Sequence, residues 1–245
     1  MIVLDVNGVS KSFGGLQAID NLSLKVHQRQ CFGVIGANGA GKTTLLNLIT
    51  GYLEPTAGTI AFEGKDVTGL KPYALAGLGI GRTFQIVQPF AEMTVLENVM
   101  IGALFSRNGR RRSQAAARRF CAQPLELAGL SDHADALAGS LTLGGKKKLE
   151  LARVLATEPS LMLLDEVMGG LTGAEVEEIM GVLEHIKGSD VTIVMVEHLV
   201  HVITYLCDQV IVLDFGRELF QGTPDQVIEN PDVIRAYLGR PMAEA

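Results

Sequence analysis

Short apolar runs alternate with longer segments of helical spacing along most of this chain. Runs rich in leucine and β-branched residues predict buried strands at residues 31–35, 161–164, 191–196 and 210–213. Apolar side chains at helical spacing predict helices at residues 42–50, 173–186 and 199–207. Continuous apolar strands between helices indicate a mostly parallel sheet that is covered on both faces, which is an α/β fold.

Two regions depart from this alternation. Near the start, residues 2–6 and 22–26 alternate between apolar and polar positions on either side of Gly14-Gly15, which predicts an antiparallel β edge. From about residue 94 to residue 156, alanine, leucine and arginine recur at helical spacing. We interpret this middle region as a mostly helical insertion in an α/β core.

Composition restricts the function further. Of the 245 residues, 47% are hydrophobic and 20% are charged, so the chain can bury a large core and is too apolar to be disordered. The 21 Lys and Arg against 27 Asp and Glu give a net charge of -6, which argues against nucleic acid as a partner. Three separate cysteines without a C-x-x-C pair argue against a zinc site or a disulfide framework and favour the reducing cytosol.

The most apolar window of the chain, residues 191–215, does not predict a membrane span, because ionisable side chains interrupt it. These are Glu197, His198, His201 and Asp208. The chain also opens with no basic-then-apolar signal peptide. We therefore expect any contact with a membrane to be made through partner proteins.

One glycine-rich string carries the strongest chemical signal. It reads Gly36-Ala37-Asn38-Gly39-Ala40-Gly41-Lys42-Thr43 and fits the phosphate-loop pattern G-x-x-x-x-G-K-[ST] between a predicted strand and a predicted helix. In such a loop, backbone N–H groups and the helix N-terminus face phosphate oxygens, the lysine reaches the β- and γ-phosphates, and the hydroxyl ligates Mg²⁺. We therefore expect nucleotide binding by this string and Thr44, with Lys42 also catalytic and Thr43 on the metal.

An acidic pair follows the predicted strand at residues 161–164. Asp165 and Glu166 then lie at the carboxyl end of a buried strand, which is where open α/β sheets bind ligands. We expect Asp165 to hold Mg²⁺ and Glu166 to polarise the attacking water. Without the phosphate loop, a helix-capping role for this pair would be the simpler interpretation.

Five motifs in fixed order resemble those of the ATP-binding subunit of ATP-binding cassette (ABC) transporters, over about residues 4–238. Phe13 matches the aromatic that stacks on adenine, and the phosphate loop follows at the family's interval. Gln85 matches the glutamine that touches Mg²⁺ and reports its state to the transmembrane subunit. His198 matches the catalytic switch histidine at the γ-phosphate, for which His201 is a competitor one helical turn away.

The family signature L-S-G-G-Q is the motif from which this chain departs. Thr142 keeps the hydroxyl of the serine and Gly144 aligns with the second glycine, whereas Leu143 and Gly145 replace the first glycine and the glutamine. In the family, this segment caps the ATP of the opposite subunit from the start of a helix, here expected at residues 145–156. Backbone donors survive side-chain changes, so we expect Thr142 and Gly144 to contact nucleotide.

The resemblance also implies the organisation of the protein. The fold is then a single ABC ATPase domain over residues 1–245, with a P-loop NTPase core at about 1–88 and 157–240 and a helical subdomain at about 89–156. Two copies of the chain, or the chain and a paralogous ATPase, would sandwich ATP with Mg²⁺. They would drive transmembrane permease subunits at the cytoplasmic face of the inner membrane, served indirectly by an extracytoplasmic solute-binding protein.

Weaker similarities point to a subfamily. Residues 13–18, 90–99 and 165–172 look like the ATPase subunits of importers for branched-chain amino acids, with urea and amide importers close by. The alternative is a soluble ABC-type ATPase that acts as an assembly scaffold or regulatory nucleotide switch, which the departures at Leu143 and Gly145 keep open. A kinase or GTPase is a third interpretation, weakened because the chain has no guanine-specifying N-K-x-D motif.

Arginines form a basic stretch within the predicted helical insertion. They are Arg107, Arg110, Arg111, Arg112, Arg118 and Arg119. We expect a solvated helix face or loop there, because no aromatic side chains alternate with the arginines to form a nucleic-acid platform. Contact with anionic lipid headgroups beside a transporter is the alternative.

Overall fold

The computed structural model describes residues 1–107 and 112–238. The strands are β1 (Ile2–Phe13), β2 (Leu16–His27), β3 (Cys31–Gly36), β4 (Ala57–Phe62), β5 (Lys65–Asp66), β6 (Ile80–Arg82), β7 (Leu161–Asp165), β8 (Thr192–Val196), β9 (Gln209–Asp214) and β10 (Arg217–Gly222). The helices are α1 (Lys42–Ile49), α2 (Pro72–Leu78), α3 (Val95–Leu104), α4 (Gln114–Phe120), α5 (Ala122–Leu127), α6 (Leu143–Leu155), α7 (Gly173–Lys187), α8 (Val200–Leu206), α9 (Pro224–Glu229) and α10 (Pro231–Val233). Short 3-10 helices lie at Ser131–His133 and Ala138–Ser140, and a π-helical turn lies at Ile234–Leu238.

Contacts divide the chain into two units. The first unit is Met1–Lys71 with the described part of Thr192–Ala245, and the second unit is Pro72–Val191. Helices α3 to α6 of the second unit lie within the predicted helical subdomain, and the same unit also contains β6, β7 and α7. The boundaries proposed for that subdomain, 89–156, stay a prediction.

In the first unit, β1 and β2 form the antiparallel edge that the alternation at the start of the chain predicts. They belong to a four-stranded sheet with the order β2-β1-β4-β5. The register pairs Val6 with Leu24 and Val9 with Leu22, and all four side chains are buried. Each strand spans 12 residues, well beyond the predicted runs, because cross-strand pairing continues to the turn at Gly14.

The predicted apolar strands of the first unit are confirmed. Strand β3 is buried along its whole length and pairs in parallel with β8 on one side and β9 on the other. Strand β10 then adds to β9 in the antiparallel sense. The bounds of β3, β8 and β9 lie within one residue of the predicted runs, because each run is mostly apolar and is flanked by polar or turn residues.

In the second unit, β6 pairs in parallel with β7, and small side chains let the helices pack closely. The helical core lies mainly on α3 to α6: Val95, Leu96, Val99, Ala103, Ala117, Cys121, Leu125, Ala128, Leu130, Ala138, Leu149, Ala152 and Ala156. Helix α3 lies close to α6 at Gly102, where a Cβ atom would lie 2.4 Å from the Arg153 carbonyl oxygen. Within the described residues, none of the helices combines the length and apolar content that crossing a bilayer requires.

Gly102→Ala should lower the free energy of unfolding by about 1–3 kcal/mol, because the added methyl group would force α3 and α6 apart. The matched control is Gly181→Ala in α7, where an added Cβ meets nothing within 4 Å outside its own helix. That change should raise the free energy of unfolding by up to about 1 kcal/mol, since alanine favours helix. Urea denaturation measures both effects. Equal effects of the two substitutions would contradict the close approach of α3 and α6.

Candidate functional site

The phosphate loop connects β3 to α1 in the first unit, and glycines permit its shape. Gly36, Gly39 and Gly41 have φ angles of 153°, 82° and 105°, a region that other residues rarely adopt. A Cβ atom at Gly36 would lie 2.3 Å from the Leu213 carbonyl oxygen, and one at Gly41 would lie 2.7 Å from that of Ala18. The loop therefore presents backbone in place of side chains, which suits the binding of phosphate.

Lys42 begins α1 and directs its ammonium group at this loop. The residue is 5% exposed, and Nζ donates to the carbonyl oxygens of Gly36 at 2.8 Å and Ala37 at 3.1 Å. The N-cap of α1 is Gly41, which has no side chain to accept from the amides of the first turn. Thr43 is exposed and Thr44 half-buried on that turn. A held cation beside uncapped amides gives the loop the positive charge that a polyphosphate needs.

Within the loop itself, burial differs between its middle and its end. Ala37, Asn38 and Gly39 are exposed, whereas Ala40 is buried. The Ala40 carbonyl oxygen accepts from the amide of Gly216, which follows β9. This hydrogen bond ties the end of the loop to the turn between β9 and β10 and leaves the middle of the loop open to a ligand.

Phe13 and His198 are the other predicted nucleotide contacts in the first unit. Phe13 ends β1 and is 46% exposed, with Lys11 Nζ 5.3 Å from the centroid of its ring. Such exposure argues against an ordinary core role and leaves the ring face accessible for stacking. His198 is exposed and stands two residues beyond the end of β8, whereas His201 lies inside α8, as predicted.

The acidic pair lies at the end of β7 in the second unit. Asp165 is 4% exposed, and its carboxylate pairs with the guanidinium of Arg82 at 2.8 Å. The Asp165 amide donates to the hydroxyl of Thr83 at 3.2 Å. A buried carboxylate without a cation would be costly, so the ion pair with Arg82 holds the Asp165 side chain at the strand end.

Glu166 stands in the left-handed region with a φ of 50°, which costs a residue with a side chain about 1 kcal/mol. The amide of Gln85 donates to Glu166 Oε2 at 2.7 Å, so the structure brings these two predicted site residues together. This strained backbone and the Gln85 amide place the carboxylate just beyond the strand. A base at that position is oriented before substrate arrives.

Arg82 is a site residue that our sequence reasoning did not identify. It ends β6, which pairs in parallel with β7 so that Arg82 lies opposite Leu163. Because parallel strands end at the same edge, a cation that ends one strand can pair with an acid that ends its neighbour. That signal is available in the sequence only once β6 is recognised, and three residues are too few for a periodic pattern.

The signature segment begins α6 earlier than predicted. The helix starts at Leu143, two residues before the expected start, because the Thr142 hydroxyl caps it by accepting from the Gly145 amide at 3.1 Å. The Gly144 amide donates to Glu175 Oε1 at 3.3 Å. One of the amides expected to cap a phosphate is therefore engaged by a carboxylate of the same chain, and nucleotide contact by Thr142 and Gly144 stays a prediction.

The basic stretch contributes to structure where it is described. Residues 108–111, including Arg110 and Arg111, lie outside the described part of the chain. Arg112 donates to Ser106 at 2.7 Å, pairs with Glu158 at 2.6 Å and covers the ring of Phe120 at 3.9 Å. These contacts fasten the start of α4, so this arginine serves packing. Arg118 and Arg119 lie exposed on α4, as expected for a solvated helix face.

Comparison with known proteins gives similarity over nearly the whole chain. The family profile described as ABC transporter matches residues 19–169, and the profile described as branched-chain amino acid ATP-binding cassette transporter matches residues 217–243. The high-affinity branched-chain amino acid transport ATP-binding protein BraF of Pseudomonas aeruginosa is 37% identical over an alignment that covers 97% of this chain and 98% of BraF.

Solved structures show the same similarity. The ADP conformation of MJ1267, an ATP-binding cassette of an ABC transporter, gives a TM-score of 0.87 at 32% identity and covers 98% of this chain and 100% of its own. The dimeric structure of MJ0796, a bacterial ABC transporter cassette, gives a TM-score of 0.79 at 25% identity over 90% of this chain and 98% of its own.

Glu175→Gln should destabilise the protein at neutral pH and have less effect in acid. The backbone and side chain of Thr172, followed by the Gly144 amide, hold the pKa of Glu175 below its usual 4.5. A lowered pKa in the folded state stabilises the fold above the unfolded value, and that stability is lost as the pH falls through the folded value. The loss of melting temperature relative to wild type should therefore shrink as the pH falls below about 4.5. Melting curves of Glu175→Gln and of Glu177→Gln, an exposed neighbour, test this, and a loss independent of pH would contradict it.

Proposed function

The chain belongs to the ABC transporter family of ATP-binding subunits and hydrolyses ATP, and from this premise we propose that it powers the import of branched-chain amino acids or related small polar solutes. The observation that carries the ATP-driven part is the phosphate loop with Lys42 held against it. The cargo is proposed from the name of BraF, which matches almost the whole chain, and from the profile match at residues 217–243.

Binding of ATP is proposed to begin in the first unit. The loop amides would donate hydrogen bonds to the phosphate oxygens, and the Lys42 ammonium would offset the negative charge of the phosphates. The exposed ring of Phe13 would stack on adenine. His198 would donate to the γ-phosphate from the end of β8.

Mg²⁺ fits the oxygen donors at hand. Hard divalent cations prefer carboxylate, hydroxyl and amide oxygens, which Asp165, Thr43 and Gln85 supply. Bound Mg²⁺ would offset negative charge on the β- and γ-phosphates. Arg82 occupies one side of the Asp165 carboxylate and leaves its remaining lone pairs for a metal or its water.

Hydrolysis is proposed to depend on Glu166. Its carboxylate would accept a proton from the attacking water as the oxygen bonds to the γ-phosphorus and the bond to the β-phosphate oxygen breaks. The Gln85 amide orients the carboxylate in the free chain.

The partners follow from the class of protein. We propose a second ATPase subunit, either another copy or a paralogue, because a cassette of this fold forms a dimer in the MJ0796 structure. Permease subunits would hold the pair at the cytoplasmic face of the inner membrane, and a solute-binding protein would act through the permease. Thr142 and Gly144 would contact the nucleotide of the opposite subunit once Glu175 releases the Gly144 amide.

Glu166→Gln should slow ATP hydrolysis by about 10²- to 10⁴-fold while ATP binding survives, because the amide keeps the shape but cannot take up the proton. The variant should accumulate as a dimer in ATP and Mg²⁺ and remain a monomer in ADP. Phosphate release and sizing chromatography measure the two effects, with Glu177→Gln as control.

Unchanged turnover in Glu166→Gln would show that this residue has no catalytic role, and a dimer that forms equally without ATP would contradict the proposed ATP-bound dimer.

The proposed cargo is tested in cells. Cells in which the only copy of the protein is the Glu166→Gln variant should lose ATP-driven uptake of radiolabelled leucine. Uptake of leucine at the wild-type rate would overturn the proposed importer.

A further inference from the structure

Helix α6 directs a stripe of charged side chains at residues 84–90, the segment that follows β6. We call Lys147, Glu150 and Arg153 the α6 charged stripe, since they are spaced by three residues and lie on one face of the helix. Lys147 is 2% exposed and Glu150 is 8% exposed. Charges buried to this extent are costly unless they make specific contacts, so the contacts of the stripe indicate what it does.

Two members of the stripe hold the backbone at Gln85. The Phe84 amide donates to Glu150 Oε1 at 2.8 Å, and Lys147 Nζ donates to the carbonyl oxygen of Gln85 at 3.2 Å. The two contacts lie on either side of the peptide that joins Phe84 to Gln85. That peptide therefore has little freedom to rotate, and the direction of the Gln85 side chain is fixed with it.

The third member extends the contact along the segment. Arg153 donates to the carbonyl oxygen of Gln88 at 3.3 Å, and its guanidinium lies 5.3 Å from the centroid of the Phe90 ring. Each of these bonds joins a charged group to the backbone or an aromatic ring, which makes them stronger than neutral contacts of the same length. The segment from Phe84 to Phe90 is thus fastened to α6 at both ends.

Burying the carboxylate of Glu150 at this position costs free energy. Burial raises its pKa, although the Phe84 amide and the charges of Lys147 and Arg153 oppose that effect. Its second oxygen, Oε2, is buried with no hydrogen-bond partner among the described residues. An apolar side chain would fill this space with a smaller desolvation cost. The stripe therefore serves to position the segment at residues 84–90 more than to stabilise the fold.

We propose that Lys147 and Glu150 are positioning residues for ATP hydrolysis, which hold the Gln85 amide against Glu166 through the backbone of Gln85. The Gln85 bond to Glu166 Oε2, at 2.7 Å, completes the connection from α6 to the carboxylate. The inference rests on the proposed role of Glu166 as the base. It adds that the helix which begins at the signature segment also sets the orientation of that base.

Hydrogen exchange of the nucleotide-free chain tests the contact itself. In Glu150→Met, which keeps the length of the side chain and removes its oxygens, the Phe84 amide should exchange about tenfold faster or more than in wild type. Lys148→Met is the matched control, because Lys148 lies on the same helix but pairs with Glu178 of α7. Unchanged exchange in Glu150→Met would overturn the proposal, and this readout does not depend on whether Glu166 is the base.

Steady-state kinetics test the positioning role. Lys147→Met should lower kcat about tenfold and leave the KM for ATP within about twofold, and Lys147→Arg should restore most of the loss. In a Gln85→Ala background, Lys147→Met should lower kcat by less than about twofold, because the Gln85 side-chain amide through which Lys147 acts is absent. If the kcat losses of Gln85→Ala and Lys147→Met multiply in the double variant, or if Lys148→Met lowers kcat as much as Lys147→Met does, the role of Lys147 is only structural and the proposal is wrong. If Glu166→Gln alone leaves turnover unchanged, the proposed base fails while the exchange result still decides the contact.

Discussion

The positions of the candidate site residues depend on where the buried strands end, because these residues lie at the ends of the strands or directly after them. A strand interior has its backbone groups paired and its side chains dry, so donors and charges become available only at its end. In the first unit, β3 ends at Gly36, where the phosphate loop begins, and His198 follows β8. In the second unit, β7 ends at Asp165, beside the Arg82 that ends β6.

Charge is balanced within each of these sites before any nucleotide is present. The Lys42 ammonium is held by carbonyl oxygens of its own loop, and Arg82 neutralises the buried Asp165. Glu175 engages an amide at the start of α6. Each of these groups therefore has a partner within its own unit, which lowers the cost of holding a charged or polar group in the fold.

The sequence was sufficient to locate the buried strands β3, β7, β8 and β9, the phosphate loop after β3 and the acidic pair after residue 164, because each is a local pattern. Contacts between residues far apart in the chain were beyond it. Arg82 with Asp165, Gly144 with Glu175, and the contacts of the α6 charged stripe join residues 31 to 83 positions apart. The start of α6 was also misplaced, because the expected start followed the family pattern and overlooked Thr142 as an N-cap. Local sequence patterns predict helices and strands, whereas the contact partners of a residue depend on how those helices and strands pack.

The central claim is that the phosphate loop, with Lys42 held against it, binds the phosphates of ATP. The most direct measurement is a titration of wild type and Lys42→Ala with ATP in the presence of Mg²⁺. Lys42→Ala should abolish tight binding of ATP, because the phosphates would lose the ammonium group that offsets their negative charge. An ATP affinity of Lys42→Ala equal to that of wild type would contradict the account.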